Sequence, residues 1–212
     1  YDRTFTKKIS CLTATRTNTD APISVDGILE PDEWAGAMEI QLREKQYVAT
    51  GSTTWGGMND HSAKLYTKWD DENLYIAVEV TDDVHYMEVS DVYGSWGSDS
   101  LQISFDPLRP AGYGADNNHI RFIASYNAQT DKSSLGVESW GPISGASLDD
   151  ITYKFTRDEV SKKTIYEIAF PWESILTADR LPARANLTDI GVSVLVNDND
   201  TNGRKGWLKY MD

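Results

Sequence analysis

Cysteine is nearly absent from this chain: Cys11 is the single one in 212 residues. One thiol cannot close an intrachain disulfide, and a Cys-rich zinc site is excluded. Histidine is also scarce, and the three present, His61, His85 and His119, fall at no metalloprotease or triad spacing. No G-x-S-x-G, P-loop or Cys–His nucleophile arrangement is present. No run approaches the roughly 18–20 consecutive apolar residues of a membrane helix, so membrane insertion is not expected. The opening YDRTFTKKIS lacks both an initiator Met and the apolar core of a signal peptide. The closing GWLKYMD is strand-like. The sequence therefore reads as a mature chain or a piece of a longer protein. Bases are outnumbered, with 20 Lys and Arg against 33 Asp and Glu and a net charge of −13. Nucleic acid and anionic membranes need a cationic footprint, so neither is an expected partner.

What is abundant is aromatic and alternating. There are seven Trp and eleven Tyr, and the dominant apolar period is two. Ala63, Leu65, Thr67 and Trp69 share one face of AKLYTKW, and Leu74, Ile76, Val78 and Val80 share one face of LYIAVEV. The polar Asp70–Asn73 between them predicts a hairpin. SLQISFD sets Leu101, Ile103 and Phe105 against Ser100, Gln102 and Ser104; HIRFIASYN sets Ile120, Phe122, Ala124 and Tyr126 against His119, Arg121, Ser125 and Asn127. ITYKFTR, TIYEIAF and IGVSVLVN predict three more strands, and ESILTADRL a short helical turn. Many strands and few amphipathic helices indicate an all-β fold, an antiparallel β-sandwich with long loops. With no repeat and no Pro/Ser/Gly linker, one domain is expected over 23–212, with 1–22 as a lead-in or edge strand. Long loops are read at 41–62, 81–98, 107–118 and 128–150, where binding function concentrates on a sandwich.

Several pieces together resemble the family 9 carbohydrate-binding modules. They are Val25-Asp26-Gly27 with Glu33-Trp34, Lys68-Trp69-Asp70-Asp71 leading into Leu74–Val78, and Asp82. They continue with Trp96-Gly97-Ser98-Asp99-Ser100-Leu101-Gln102-Ile103 ending in Phe105-Asp106, Ile168–Trp172, and Ile190-Gly191 to Asn197-Asp198. The similarity spans roughly 23–210. It implies a non-catalytic β-sandwich that binds plant polysaccharide or oligosaccharide of the xylan or β-glucan (cellulose) type. It also implies covalent linkage to a catalytic domain of a glycoside hydrolase or to a surface domain, a secreted or cell-surface bacterial setting, and structural calcium.

The resemblance also nominates residues. Trp96 matches a stacking Trp of the family; an exposed indole packs on the C–H face of a sugar, and its N–H can donate. The alternative is a Trp folded back as a loop anchor. A second stacking Trp of the family lies beyond the position of Tyr210, so Trp55 and Trp140, both beside Gly, are candidates to replace it, with plain loop packing as the alternative. Trp34, Trp69 and Trp172 are expected in the core, and Trp207 is ambiguous. Gln102 stands where the family places a carboxylate, and an amide both donates and accepts. Arg121 matches a sugar-binding Arg whose fork suits vicinal hydroxyls. Asn127 and Asn197 extend the same polar face.

For calcium, Asp82 and Asp99 match motif carboxylates of the family. Asp198-x-Asp200-x-Asn202-Gly203 reproduces half of a calcium loop, but Lys209 stands where an EF-hand needs Glu, and a polar turn is the competing reading. The pairs Asp82-Asp83 and Asp149-Asp150 read as solvated turns, because glycoside hydrolysis needs two carboxylates held across a cleft. The wider superfamily includes haem-binding domains with a similar W-x-x-D-S pattern. They make an electron-transfer domain the first alternative, with His85, Met87, Met58 and His119 as conceivable ligands. A calcium-stabilised structural or adhesion domain of a surface protein is the second.

Overall fold

The computed structural model describes residues 14–50, 54–87, 91–107, 119–141, 143, 146–179, 181 and 190–211. Cys11, residues 1–13 of the lead-in and most of the 107–118 loop lie outside them.

The chain forms two six-stranded sheets. The first runs β1 (Thr15–Arg16), β4 (His61–Trp69), β5 (Asn73–Asp82), β10 (Lys163–Pro171) and β9 (Thr152–Asp158), with β2 (Met38–Leu42) also paired to β4. The second runs β3 (Val48–Thr50), β12 (Gly206–Met211), β11 (Gly191–Asp198), β6 (Ser100–Asp106), β7 (Ile120–Asn127) and β8 (Lys132–Ser139). Pairing is antiparallel except for β1, which lies parallel to β4 at the sheet edge. The expected β4–β5 hairpin forms across Asp70–Glu72, where Asp70 Oδ1 accepts from the amides of Glu72 at 2.8 Å and Asn73 at 2.7 Å. The helical turn is short, α1 (Trp172–Ile175).

Two of the segments read as loops contain strands. Residues 41–62 hold β3, which pairs with β12, and 128–150 hold β8, which pairs with β7. The alternation in β8, KSSLGVES, is masked by serine and by Gly136.

Alternate residues of both sheets meet in one core. Leu65, Ile76 and Val78 from the first sheet pack with Ile103, Phe122 and Val194 from the second. Phe170 bridges the layers, with its ring 5.0 Å from Phe105 and 4.9 Å from Phe122. Trp34 and Trp172 are buried as expected, whereas Trp69 is half-buried with Arg16 4.9 Å above its ring. The edge strand leaves that indole partly open.

The outer face of the first sheet is covered. Trp34, Tyr75, Ala77 and Ala169 form a smaller apolar cluster with Ile23, Val25 and Leu29 from the preceding segment. Glu167 staples that segment down: its carboxylate accepts from Gly27 N at 2.8 Å, Asp26 N at 3.2 Å and Trp34 Nε1 at 3.0 Å. Burial raises its pKa to about 7. Gly27 is obligatory here, because its φ is +85° and a Cβ would sit 2.4 Å from Thr156 Cγ2. The outer face of the second sheet is therefore where a polar binding surface can lie.

Candidate functional site

The turn Val92–Gly97 presents Trp96. Asp91 Oδ1 accepts from Tyr93 N at 3.1 Å, and Ser95 Oγ donates to Val92 O at 2.6 Å. Ser100 Oγ donates to Ser95 O at 2.7 Å, and Asn199 Nδ2 donates to Gly97 O at 2.6 Å. The turn seats on the sheet because β8 has no side chain at Gly136: a Cβ there would meet Val92 Cγ1 at 2.8 Å and Tyr93 Cε1 at 3.1 Å. A fixed backbone thus holds an indole that is 52 % exposed, and the loop-anchor alternative does not describe Trp96. An exposed large aromatic on a rigid support is what a stacking platform requires.

A continuous set of contacts runs from Trp96 along the sheet. Arg204 Nη1 donates to Trp96 O at 3.4 Å, and its guanidinium carbon lies 5.8 Å from the Trp96 ring and 3.9 Å from the Trp207 ring. Trp207 pairs across β11–β12 with Asn197. Asn197 Nδ2 donates to Ser100 Oγ at 2.9 Å and to Gln102 Oε1 at 3.3 Å, while its Oδ1 is buried without a hydrogen-bond partner. Gln102 Nε2 in turn donates to Glu138 Oε2 at 3.4 Å. Trp96, Gln102 and Asn197 are thus brought together as the sequence suggested, and Arg204, Trp207 and Glu138 join them. The signal for the added three is register: only the β11–β12 pairing and the β7–β8 bulge between Arg121 and Phe122 bring them there.

The other nominated residues lie apart from this set. Arg121 is exposed on the same face, paired with Ser104, one alternate position beyond Gln102. Asn127 ends β7, and its Oδ1 accepts from Thr130 N at 3.0 Å in the turn to β8. Trp140 packs edge-on to Phe122 at 5.7 Å and 89°, half-buried against the core. Trp55 is half-buried and donates its Nε1 proton to His61 O at 2.7 Å. Neither of these last two indoles offers a free face comparable to that of Trp96.

Behind the Trp96 loop lies a carboxylate cluster. Ligand atoms of Asp82, Asp198 and Asp200 lie within 4.8 Å of one another, as do those of Asp60, Asp83 and Asp200, and those of Asp82, His85 and Asp99. Asp82, Asp99 and Asp198 are buried. Asp99 is braced by Asn199 N at 2.7 Å and by the Tyr86 amide. Burial, then Asp82, pushes the Asp99 carboxyl well above the usual range. Burial, then Asp200 and Asp82, pushes Asp198 to about 7. Buried oxygens of Asp198 and Asp200 have no hydrogen-bond partner. Like charges packed this closely, with orphaned oxygens among them, are a donor set that could hold a hard cation. The sequence nominates Asp82, Asp99, Asp198 and Asp200; it presents Asp83 as part of a solvated turn and His85 only as a conceivable haem ligand, and Asp60 goes unnamed because its proximity to Asp83 and Asp200 is created by the fold. His85 has its Nε2 2.9 Å from Tyr126 O and its Nδ1 3.8 Å from both Asp82 and Asp99; Met58, another conceivable haem ligand, is 52 % exposed.

A two-sheet β-sandwich with a rigid, exposed Trp beside a row of amide and carboxylate side chains is the design of a non-catalytic sugar-binding module. The profile of the family described as carbohydrate family 9 binding domain-like matches residues 25–212. The chain belongs to that family and is a carbohydrate-binding module. It is 28 % identical over 190 residues to endo-1,4-beta-xylanase A of Thermotoga neapolitana, a match that covers 89 % of this chain and 15 % of that enzyme. The chain thus spans about a seventh of the curated relative's length. Two solved structures share the fold. Both are family 9 carbohydrate-binding modules from Caldicellulosiruptor kristjanssonii, one in complex with cellotriose and one with glucose. Each has a TM-score of 0.63 and 15 % identity. The cellotriose complex covers 92 % of this chain and 81 % of its own, and the glucose complex 93 % and 84 %.

Proposed function

We propose that the module binds plant polysaccharide of the xylan or β-glucan type and holds a covalently attached, secreted or cell-surface hydrolase on it. The observation that carries this reading is the exposed Trp96 indole on its hydrogen-bonded turn, beside the Asn197–Gln102–Glu138 row. Stacking supplies affinity and the polar row supplies orientation. Tethering then raises the effective concentration of the attached enzyme at its substrate without any chemistry in this domain. The named relatives support the ligand class, one being a xylanase and two being modules in complex with glucose or cellotriose. Asp82, Asp198 and Asp200, with Asp60, Asp83 and Asp99 around them, would hold calcium. The cation would offset their repulsion and fix the loops behind Trp96.

Affinity electrophoresis in gels containing soluble xylan or β-glucan tests the reading. The wild type should be retarded by at least one of them, with retardation weakened by a chelator. Unretarded migration across a broad panel of glycans would refute it.

A further inference from the structure

Arg204 is the cation this site has not used. Among the described bases, Arg16, Lys64, Lys154, Arg157, Lys162 and Lys163 each pair with a carboxylate, whereas Arg121, Lys132 and Lys209, like Arg204, make no ion pair among the described residues; what sets Arg204 apart is its place beside the Trp96 and Trp207 rings. Arg204 has no carboxylate partner among the described residues, in a chain with 33 acids to 20 bases. Its plane rests on Trp207, its one acceptor is the Trp96 carbonyl at 3.4 Å, and its Nε is buried without a partner. Burial lowers its pKa, so nothing nearby compensates its charge. A guanidinium stacked on Trp207 at 3.9 Å and lying 5.8 Å from the Trp96 ring is held in place beside the platform, and the guanidinium fork is the side chain best suited to the two oxygens of a carboxylate.

The charges around it are ordered. Lys209, exposed and paired opposite Leu195, lies one alternate position beyond Trp207 on β12 and adds a second positive charge to that strand. Glu138 places a negative charge beyond Gln102, at the other end of the row. A sugar lying on Trp96 therefore meets a cation on one side and a hydroxyl acceptor on the other. The geometry points to Arg204 as a reader of carboxylate, so that the preferred ligand is a glycan carrying a uronic acid rather than a wholly neutral one. This rests on the sugar-binding reading of the Trp96 site and names its substrate class more narrowly.

The test is calorimetric titration of the intact chain with three probes: a xylo-oligosaccharide bearing one glucuronic acid, the same compound with its carboxyl reduced to an alcohol, and the unsubstituted oligosaccharide. The acidic probe should bind about tenfold more tightly than its reduced counterpart, a step of about 1.4 kcal/mol. The advantage should shrink as salt rises from 20 mM to about 0.5 M, since a half-exposed ion pair is screened. In Arg204→Met the ratio of the two affinities should fall to near one, and in Arg204→Lys to an intermediate value. Equal affinities in the wild type, or a ratio that survives Arg204→Met, would overturn the inference while leaving the sugar-binding reading in place. No binding of any probe would overturn both.

Discussion

Exchanging Glu167 for Gln should change how stability depends on pH. In the folded protein this carboxyl is pushed up to about 7 by burial, from an ordinary value of 4.5. It therefore holds its proton more tightly folded than unfolded. The stability it contributes is fully present below about pH 4.5 and is lost as pH rises through about 7. At 1.36 kcal/mol for each pH unit of the gap, the loss is about 3 kcal/mol. Glutamine has no proton to release, so Glu167→Gln lacks this decline. The variant has its own cost, because Gly27 N, Asp26 N and Trp34 Nε1 all donate toward the group and one side of the amide would face donors. That costs about 1–3 kcal/mol at low pH. The wild type should thus be the more stable at pH 4.5, and the variant should match or exceed it at pH 8. Asp99, Asp198 and His61 titrate in both proteins and cancel in the difference. Urea denaturation followed by Trp fluorescence at the two pH values measures it, and a thermal melt should show a relative shift of roughly 5–10 °C. Parallel stability curves, with the difference changing by less than about 1 kcal/mol, would refute the buried-carboxyl account.

Three further outcomes follow from the same contacts. A chelator should lower the melting temperature and added calcium restore it, with Asp198→Asn weakening the restoration; a melt indifferent to both would remove calcium from the carboxylate cluster. Gly136→Ala should push Val92 and Tyr93 away and lower glycan affinity severalfold, at a stability cost of about 1–3 kcal/mol, read by titration and denaturation together. Trp140→Ala should cost about 3 kcal/mol in urea denaturation, because the ring packs on Phe122; an unchanged midpoint would return that indole to the surface.

The strands that alternate cleanly are legible in sequence. β4, β5, β6, β7, β9, β10 and β11 appear as runs because one face of each is buried against the core. β3 and β8 are not, because their partners rather than their own patterns define them: three residues against β12, and a serine-rich edge against β7. The site divides the same way. Trp96, Gln102 and Asn197 could be named from local context and family resemblance. Trp207 stayed ambiguous and Arg204 and Glu138 went unnamed, because cross-strand register and a bulge create their proximity. Trp140 looks like a loop residue by its Gly neighbour, yet Phe122 draws it into the core. Clustering of Asp60 and Asp83 with Asp200 is likewise a property of the folded loops.

The most direct measurement is calorimetric titration of wild type and Trp96→Ala with cello- and xylo-oligosaccharides, with unfolding midpoints recorded alongside. Trp96 is half exposed and its turn is held by backbone and serine contacts, so the variant should keep its fold while losing at least about tenfold in affinity, roughly 1.4 kcal/mol. Wild-type affinity in a folded Trp96→Ala protein would contradict the account.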